Sequence, residues 1–347
     1  MDWNYYGNAA AVALLRSHFA TGSLRQAYLF SGPSGVGRRT LALRFAQAVN
    51  CLNPPQAGAY CGVCRACKLL AEMRHPDLEI VAAEQREGVL RVEQIRELQH
   101  HLSLAPYEAH YRIALLLRFE EANQNAQNAL LKTLEEPPPK VLILITAEDT
   151  ESLLPTIVSR CEIVRLRPMA TQALAQTLLE QQAAEASLAA QIARLAAGRP
   201  GIAIHLLHHP QERQKLYQTI TDHLHLLSAS VFERFALAER FARELTKAEL
   251  VPMLENWLSF WRDVILSAYS DQQSLTYTDF SEPAAVIAAQ VGREQCLQVL
   301  RQLRQTLEFL QGNVNLRLAL EVLFLNLPRL SLSQSLMQST LGEAQRQ

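Results

Sequence analysis

Four of the six cysteines lie close together: Cys51, Cys61, Cys64 and Cys67 read C-x9-C-x2-C-x2-C, with Gly62 inside the knuckle to permit a tight turn. Four thiolates complete a tetrahedral shell around zinc and leave no open position for a substrate water, so the spacing predicts a structural metal site. Two other readings of these residues stay open, a set of reduced thiols and an iron-sulfur cluster, although nothing else in the chain suggests redox chemistry. Cys161 and Cys296 stand apart, and Cys296 is expected in a core.

A second constellation runs from Phe30 to Thr40, Phe-Ser-Gly-Pro-Ser-Gly-Val-Gly-Arg-Arg-Thr. It follows a strand pattern and opens a helix, the setting in which glycine-rich backbone wraps phosphate oxygens around a helix N-terminus. Gly32, Gly35 and Gly37 fit that role. A working loop then needs Lys for the β- and γ-phosphates and Ser or Thr for Mg²⁺, whereas this chain has Arg38 and Arg39 there, with Thr40 one place late. Arginine cannot ligate magnesium. Phosphate contact by Arg38 or Arg39 stays open, so ATP binding is doubtful and metal-assisted hydrolysis is not expected.

The third strand pattern points the same way. A hydrolysing ATPase sets acidic residues at the end of that strand to hold the metal and polarise water, but Leu115-Leu116-Leu117 runs into Arg118-Phe119. Glu120 and Glu121 come late and read as a solvated first helical turn. Whether one of them bends back to rescue metal binding stays open.

The elements that must position these residues are legible in the pattern. Short apolar runs predict strands at Ala27–Ser31, Leu78–Val81, Arg112–Leu117 and Lys140–Thr146, alternating with helical segments. Val92, Ile95, Leu98 and Leu102 recur at helical spacing, and Pro137-Pro138-Pro139 ends a helix containing Asn128 to Glu136. This order is that of a parallel sheet flanked by helices. After Pro168 the strand signal stops, and segments such as Thr171–Ala197 and Phe232–Ala242 favour helix. Gly198-Arg199-Pro200-Gly201 and His208-His209-Pro210 break the helical half, and Leu316, Leu320, Leu323 and Leu327 give the last strong helix an apolar face. The expected division is an α/β core over residues 1–168 with a zinc module at 51–67, a small helical domain over 169–209 and an all-α domain over 210–330. The tail, 331–347, is polar enough to fray.

With these residues in hand, the chain resembles the AAA+ family of bacterial DNA polymerase III clamp-loader subunits. The resemblance rests on Asn128-Ala-Leu-Leu-Lys-Thr-Leu-Glu-Glu-Pro-Pro138 and on Leu153-Leu-Pro-Thr-Ile-Val-Ser-Arg-Cys161. The four-cysteine insertion, His75-Pro76-Asp77-Leu78 and the Gly198–Gly201 element add to it. It covers Trp3 to Pro328, strongly through Pro168. It implies an AAA+ core, a helical lid and a helical collar, and a place at one end of a five-subunit ring with gamma/tau-type and delta-type partners that loads a sliding clamp onto primed DNA. Arg160 matches the family's arginine that reaches into a neighbouring subunit's ATP site, where a forked guanidinium suits the charge on a transferring phosphoryl group. Thr146 matches the place of a polar γ-phosphate sensor, and it equally fits an ordinary strand-end threonine. The missing lysine and strand-end acids favour a non-hydrolysing member of the family over its ATP-burning gamma/tau type. Two rivals are a gamma/tau-like ATPase improvised from Arg38, Thr40 and Glu120, and a zinc-dependent DNA-binding module.

The composition bounds these readings. A chain of 347 residues suits two or three domains, and 49% hydrophobic with 19% charged residues describes a folded, soluble protein. A formal net charge of −1 gives no general attraction for nucleic acid, so any DNA contact must be local. The N-terminus has no basic segment followed by an apolar one, and no run of eighteen apolar residues occurs, so a cytoplasmic location without a membrane is expected.

Overall fold

The structure, a computed structural model, describes residues 3–83, 88–268, 275–312 and 314–331. They pack as two compact units, one of the described residues up to 177 with 198–202 and one of 178–197 with the described residues from 203 on.

The first unit is built on a parallel sheet. Strands β1 (Ala27–Ser31), β2 (Leu78–Val81), β3 (Arg112–Leu116), β4 (Val141–Ala147) and β5 (Glu162–Arg165) lie in the order β2-β3-β4-β1-β5. All pairings are parallel. β4 is buried at every position, as expected of a central strand whose continuous apolar run faces helices on both sides. The strand β5 is absent from the four read in the sequence. Its four residues, Glu-Ile-Val-Arg, form a short edge strand with one fully buried residue, Val164, and carry too little apolar signal to stand out.

Two apolar clusters cover the sheet's faces. One gathers Trp3, Tyr28, Phe30, Leu41, Phe45, Ile113 and Leu144 with α1 (Ala9–Ala20) and α2 (Arg38–Asn50). The other joins Leu29, Ile95, Leu98, Leu116, Leu130 and Ile145 with α4 (Val92–Leu102) and α5 (Gln124–Glu135). Helix α5 holds the expected segment as far as Glu135 and starts at Gln124, because Asn123 Oδ1 accepts the Ala126 N–H at 2.8 Å and caps it. Two shorter helices complete this part of the chain, α3 (Arg65–Ala71) and α6 (Pro155–Val158).

After Arg165 every regular element among the described residues is helical. The division between the units falls inside α7 (Thr171–Gln182) and just within α9 (Pro200–His208). The second unit holds α8 (Ala186–Leu195), α10 (Pro210–Ser228), α11 (Val231–Glu244), α12 (Lys247–Ser267), α13 (Ser281–Val291), α14 (Arg293–Gln311) and α15 (Leu316–Asn326). Leu320, Leu323 and Leu327 are buried as their spacing predicts. Buried Arg234 donates to the carbonyls of Leu227, Phe324, Leu327 and Pro328, so a guanidinium satisfies the orphan acceptors at the end of α15. Residues 332–347, nearly all of the expected fraying tail, lie outside the described residues. No helix among those described is long and apolar enough to cross a membrane.

Candidate functional site

The two constellations read from the sequence sit at opposite ends of α2. At its C-terminal end Asn50 is fully buried and exchanges two hydrogen bonds with the Tyr111 backbone, both 2.9 Å, which ties the helix end to the start of β3. The next residue, Cys51, turns into extended backbone, and the chain returns through Gly62 at φ +72°, a conformation that favours glycine.

Cys51, Cys61, Cys64 and Cys67 place their sulfurs within 4.8 Å of one another. Tetrahedral coordination at a zinc-sulfur distance of about 2.3 Å requires sulfurs about 3.8 Å apart, so the cluster fits such an ion with small adjustments. The sulfurs already accept backbone donors: Cys61 N–H to Cys51 Sγ at 3.2 Å, Cys64 N–H to Cys61 Sγ at 3.3 Å and Cys67 N–H to Cys64 Sγ at 3.5 Å. Backbone N–H groups of Cys64 and Val63 pull the Cys61 thiol down to about 6, whereas burial pushes the Cys51 and Cys67 thiols up. A cluster of this kind, with two thiols held protonated by burial, is chemically suited to a divalent cation that replaces the protons. The surroundings hold it in place. Gln47 Nε2 donates to the Cys67 carbonyl at 2.7 Å, Trp3 Nε1 to the Gly58 carbonyl at 2.9 Å, and the Tyr60 hydroxyl to the Trp3 carbonyl at 2.8 Å.

His75 and Asp77 brace the next turn. The Asp77 carboxylate is buried and accepts the N–H groups of Tyr107, Glu108 and Ala109 and the Arg112 guanidinium. Burial alone would raise its pKa, but these donors prevail and hold it below the ordinary aspartate value. The His75-Pro-Asp-Leu signature therefore anchors the loop before β3.

At the N-terminal end of α2, Gly32, Gly35 and Gly37 all have positive φ, and Gly37 caps the helix with its carbonyl accepting the Leu41 N–H at 2.9 Å. The loop thus has the backbone of a phosphate cradle. Its charges are arranged differently. Arg38 is buried, with Nη1 at 3.7 Å from Glu120 and Nη2 at 3.5 Å from Glu148. Arg39 and Thr40 point to the exposed side of the helix start. The Tyr5 hydroxyl donates to the Val36 carbonyl at 2.9 Å, and the Gly201 N–H donates to the Gly35 carbonyl at 2.8 Å. The Gly198–Gly201 element, read in the sequence as a break and as part of the family resemblance, is docked on this loop.

Glu120 was expected as a solvated helix start, and the structure corrects that expectation. The chain turns through Arg118 in the left-handed region, at φ +49° and ψ +56°. Its N–H is received by Thr146 Oγ1 at 2.9 Å, and the Thr146 hydroxyl donates to the Leu116 carbonyl at 3.3 Å. This turn sends Glu120 back to the loop, onto Arg38, while Glu121 pairs with Arg118 at 2.7 Å. Burial raises the Glu120 pKa, and its own backbone N–H and Arg38 only partly offset that. Spacing cannot reveal such a return, because it depends on one left-handed residue. Glu148 was missed for a related reason: it lies just past β4 and reaches Arg38 across a strand boundary.

Arg160 lies in neither constellation. It follows α6, is about a third exposed, donates from Nη1 to the Thr156 carbonyl at 2.9 Å and pairs through Nη2 with Glu135 at 2.6 Å. It borders a pocket of about 310 Å³ whose lining includes Arg25, Gln26, Leu134, Pro137 and Glu162.

A family model described as DNA polymerase III, delta subunit, matches residues 7–170. The chain is 31% identical over 308 residues to the DNA polymerase III subunit delta' of Pseudomonas aeruginosa, spanning 86% of this chain and 90% of that one. To the subunit of the same name from Bacillus subtilis it is 29% identical over 328 residues, or 90% and 94% of the two chains. Among solved structures, a DNA polymerase III gamma subunit-related protein of Thermotoga maritima is similar at a TM-score of 0.48 and 17% identity, over 90% of this chain and 97% of that one.

Proposed function

Because the chain belongs to the family of DNA polymerase III delta' subunits, we propose that it is a clamp-loader subunit that assists a neighbour's ATPase site and runs none of its own. The observation that carries this reading is Arg38, which stands where a phosphate-binding lysine is needed and is paired with largely buried Glu120 and with exposed Glu148. With the acid engaged by arginine and no hydroxyl in the magnesium place, nothing in the loop supplies the metal oxygen ligands that phosphoryl transfer requires. Thr146 is read here as the clamp of the Arg118 turn, since its hydroxyl is committed to backbone on both its donor and acceptor sides.

In this reading Arg160 enters the adjacent ATP site in trans and stabilises charge on the transferring phosphoryl group. Its partners are gamma/tau-type and delta-type subunits in a hetero-pentamer, and through them a sliding clamp and primed DNA. The four cysteines hold a structural zinc ion, whose closed shell keeps it out of the chemistry. Residues 1–168 act as the AAA+ core, 169–209 as a lid and 210–330 as a collar. The location is cytoplasmic, consistent with reduced thiols.

The test is ATP turnover by the purified chain with Mg²⁺. No hydrolysis above background is expected, and turnover that Arg38→Ala or Glu120→Gln abolishes would overturn the proposal. In a reconstituted complex, Arg160→Ala should leave assembly intact and slow hydrolysis at the completed site by about tenfold or more. An unchanged rate removes the arginine assignment.

A further inference from the structure

The run Leu131-Lys-Thr-Leu-Glu-Glu-Pro-Pro-Pro139 closes α5, and the role just described leaves it unexplained. Glu135 is the last residue of that helix. A carboxylate there faces the negative end of the helix dipole, a position that disfavours acids. Its side chain reaches Arg160, with Oε1 at 2.6 Å from Nη2. The second tie on the same guanidinium comes from the Thr156 carbonyl, one turn back, at Nη1. Two elements that are far apart in sequence therefore fix one arginine. The fork's remaining donors are left for a ligand, and the side chain is 35% exposed.

We propose that Glu135 is a positioning residue for Arg160, restricting a rotamer-rich side chain to the orientation in which its fork meets a phosphoryl group on the adjacent subunit. This rests on the trans role of Arg160 proposed above. A contribution to stability does not account for the pair, because the carboxylate is half exposed and surface ion pairs add little to folding. Orientation is different. A forked guanidinium is directional, and misplacement of a group that acts only in the transition state lowers turnover without weakening ground-state binding. Pro137, next to Glu136, ends the helix so that Glu135 stays at its rim, and Leu134 and Pro137 line the pocket that Arg160 borders.

The experiment uses the reconstituted complex with clamp and primed DNA, comparing steady-state ATP hydrolysis for Glu135→Ala, Arg160→Ala and the double variant. Glu135→Ala should lower kcat about two- to fivefold, the size of one exposed ion pair, with KM for ATP unchanged. The double variant should be no slower than Arg160→Ala alone, since Glu135 acts only through Arg160. Glu135→Gln, which keeps the side chain's length and loses its charge, is carried alongside and should show a smaller loss in the same direction. It keeps the test standing if the alanine variant fails to assemble. A kcat that is unchanged or raised by both Glu135 variants while Arg160→Ala slows the complex overturns the inference, as does a loss confined to KM or an additive double variant. If Arg160→Ala itself has no effect, the trans role fails first, and the two failures are told apart.

Discussion

The two ends of α2 are about 20 Å apart by helix rise and pose the same question, whether a site with the right backbone also has free ligand atoms. At the C-terminal end, four sulfurs converge within 4.8 Å, with backbone N–H groups and one another as partners. Among the described residues the chain supplies soft sulfur ligands there, two of them kept protonated by burial. At the N-terminal end the glycines have the positive φ angles of a phosphate cradle, but the cation that should face phosphate is flanked by Glu120 and Glu148. The chain supplies both charges there. One end gathers ligands that could hold an added ion, and the other has its charges paired from within. Backbone shape is thus a poor guide to occupancy, and the pairing of charged atoms is a better one.

The contrast can be broken most forcefully at the cysteines. Treating the purified chain with a chelator, or Cys67→Ser, should lower thermal stability by several kcal/mol if the proposed zinc is held, since structural zinc contributes on the order of 10 kcal/mol in small domains. Metal content should fall from one ion per chain toward none. A chelated chain that melts at the same temperature as the untreated one would show that this end, too, is complete without an ion. The next largest effect is expected at Arg38. Its replacement by Ala leaves Glu120 largely buried without its nearest cation, which should cost about 2 kcal/mol in urea unfolding. A neutral result would mean that the loop's charges are not mutually satisfied.

The smallest effect sharpens the comparison through pH. Burial raises the Glu120 pKa above its usual 4.5, so the folded state holds this proton more tightly than the unfolded one. The sign follows: this group favours the fold at low pH, and its contribution declines as pH rises from 4.5 through the folded value. Glu120→Gln lacks that decline. At pH 7 it should match or exceed the parent by less than about 1 kcal/mol, the difference growing from pH 4.5 upward. A variant clearly less stable than the parent at pH 7 would show that the Arg38 pair outweighs the burial of the carboxylate.

Much of this was legible before any coordinates. The cysteine spacing pointed to the cluster because C-x2-C turns place Cys61, Cys64 and Cys67 together through local geometry. The glycines of the loop, four of the five strands and the helical half after Pro168 were likewise readable, since each depends on residues within a few positions of one another. The absence of Lys and Ser/Thr at Arg38 and Arg39 is also a fact of the sequence.

What the sequence by itself determined, then, is which ligand types are present and which are missing. Tertiary structure alone decided where the remaining charges went: Glu120 and Glu148 to Arg38, Glu135 to Arg160, and the Gly198–Gly201 element to the phosphate loop. These pairs are separated by about 25 to 165 positions, and each is set by where a strand ends or how one left-handed residue turns the chain. Electrostatic pairing acts through space, so periodicity and spacing carry no trace of it until the sheet brings the strand ends together.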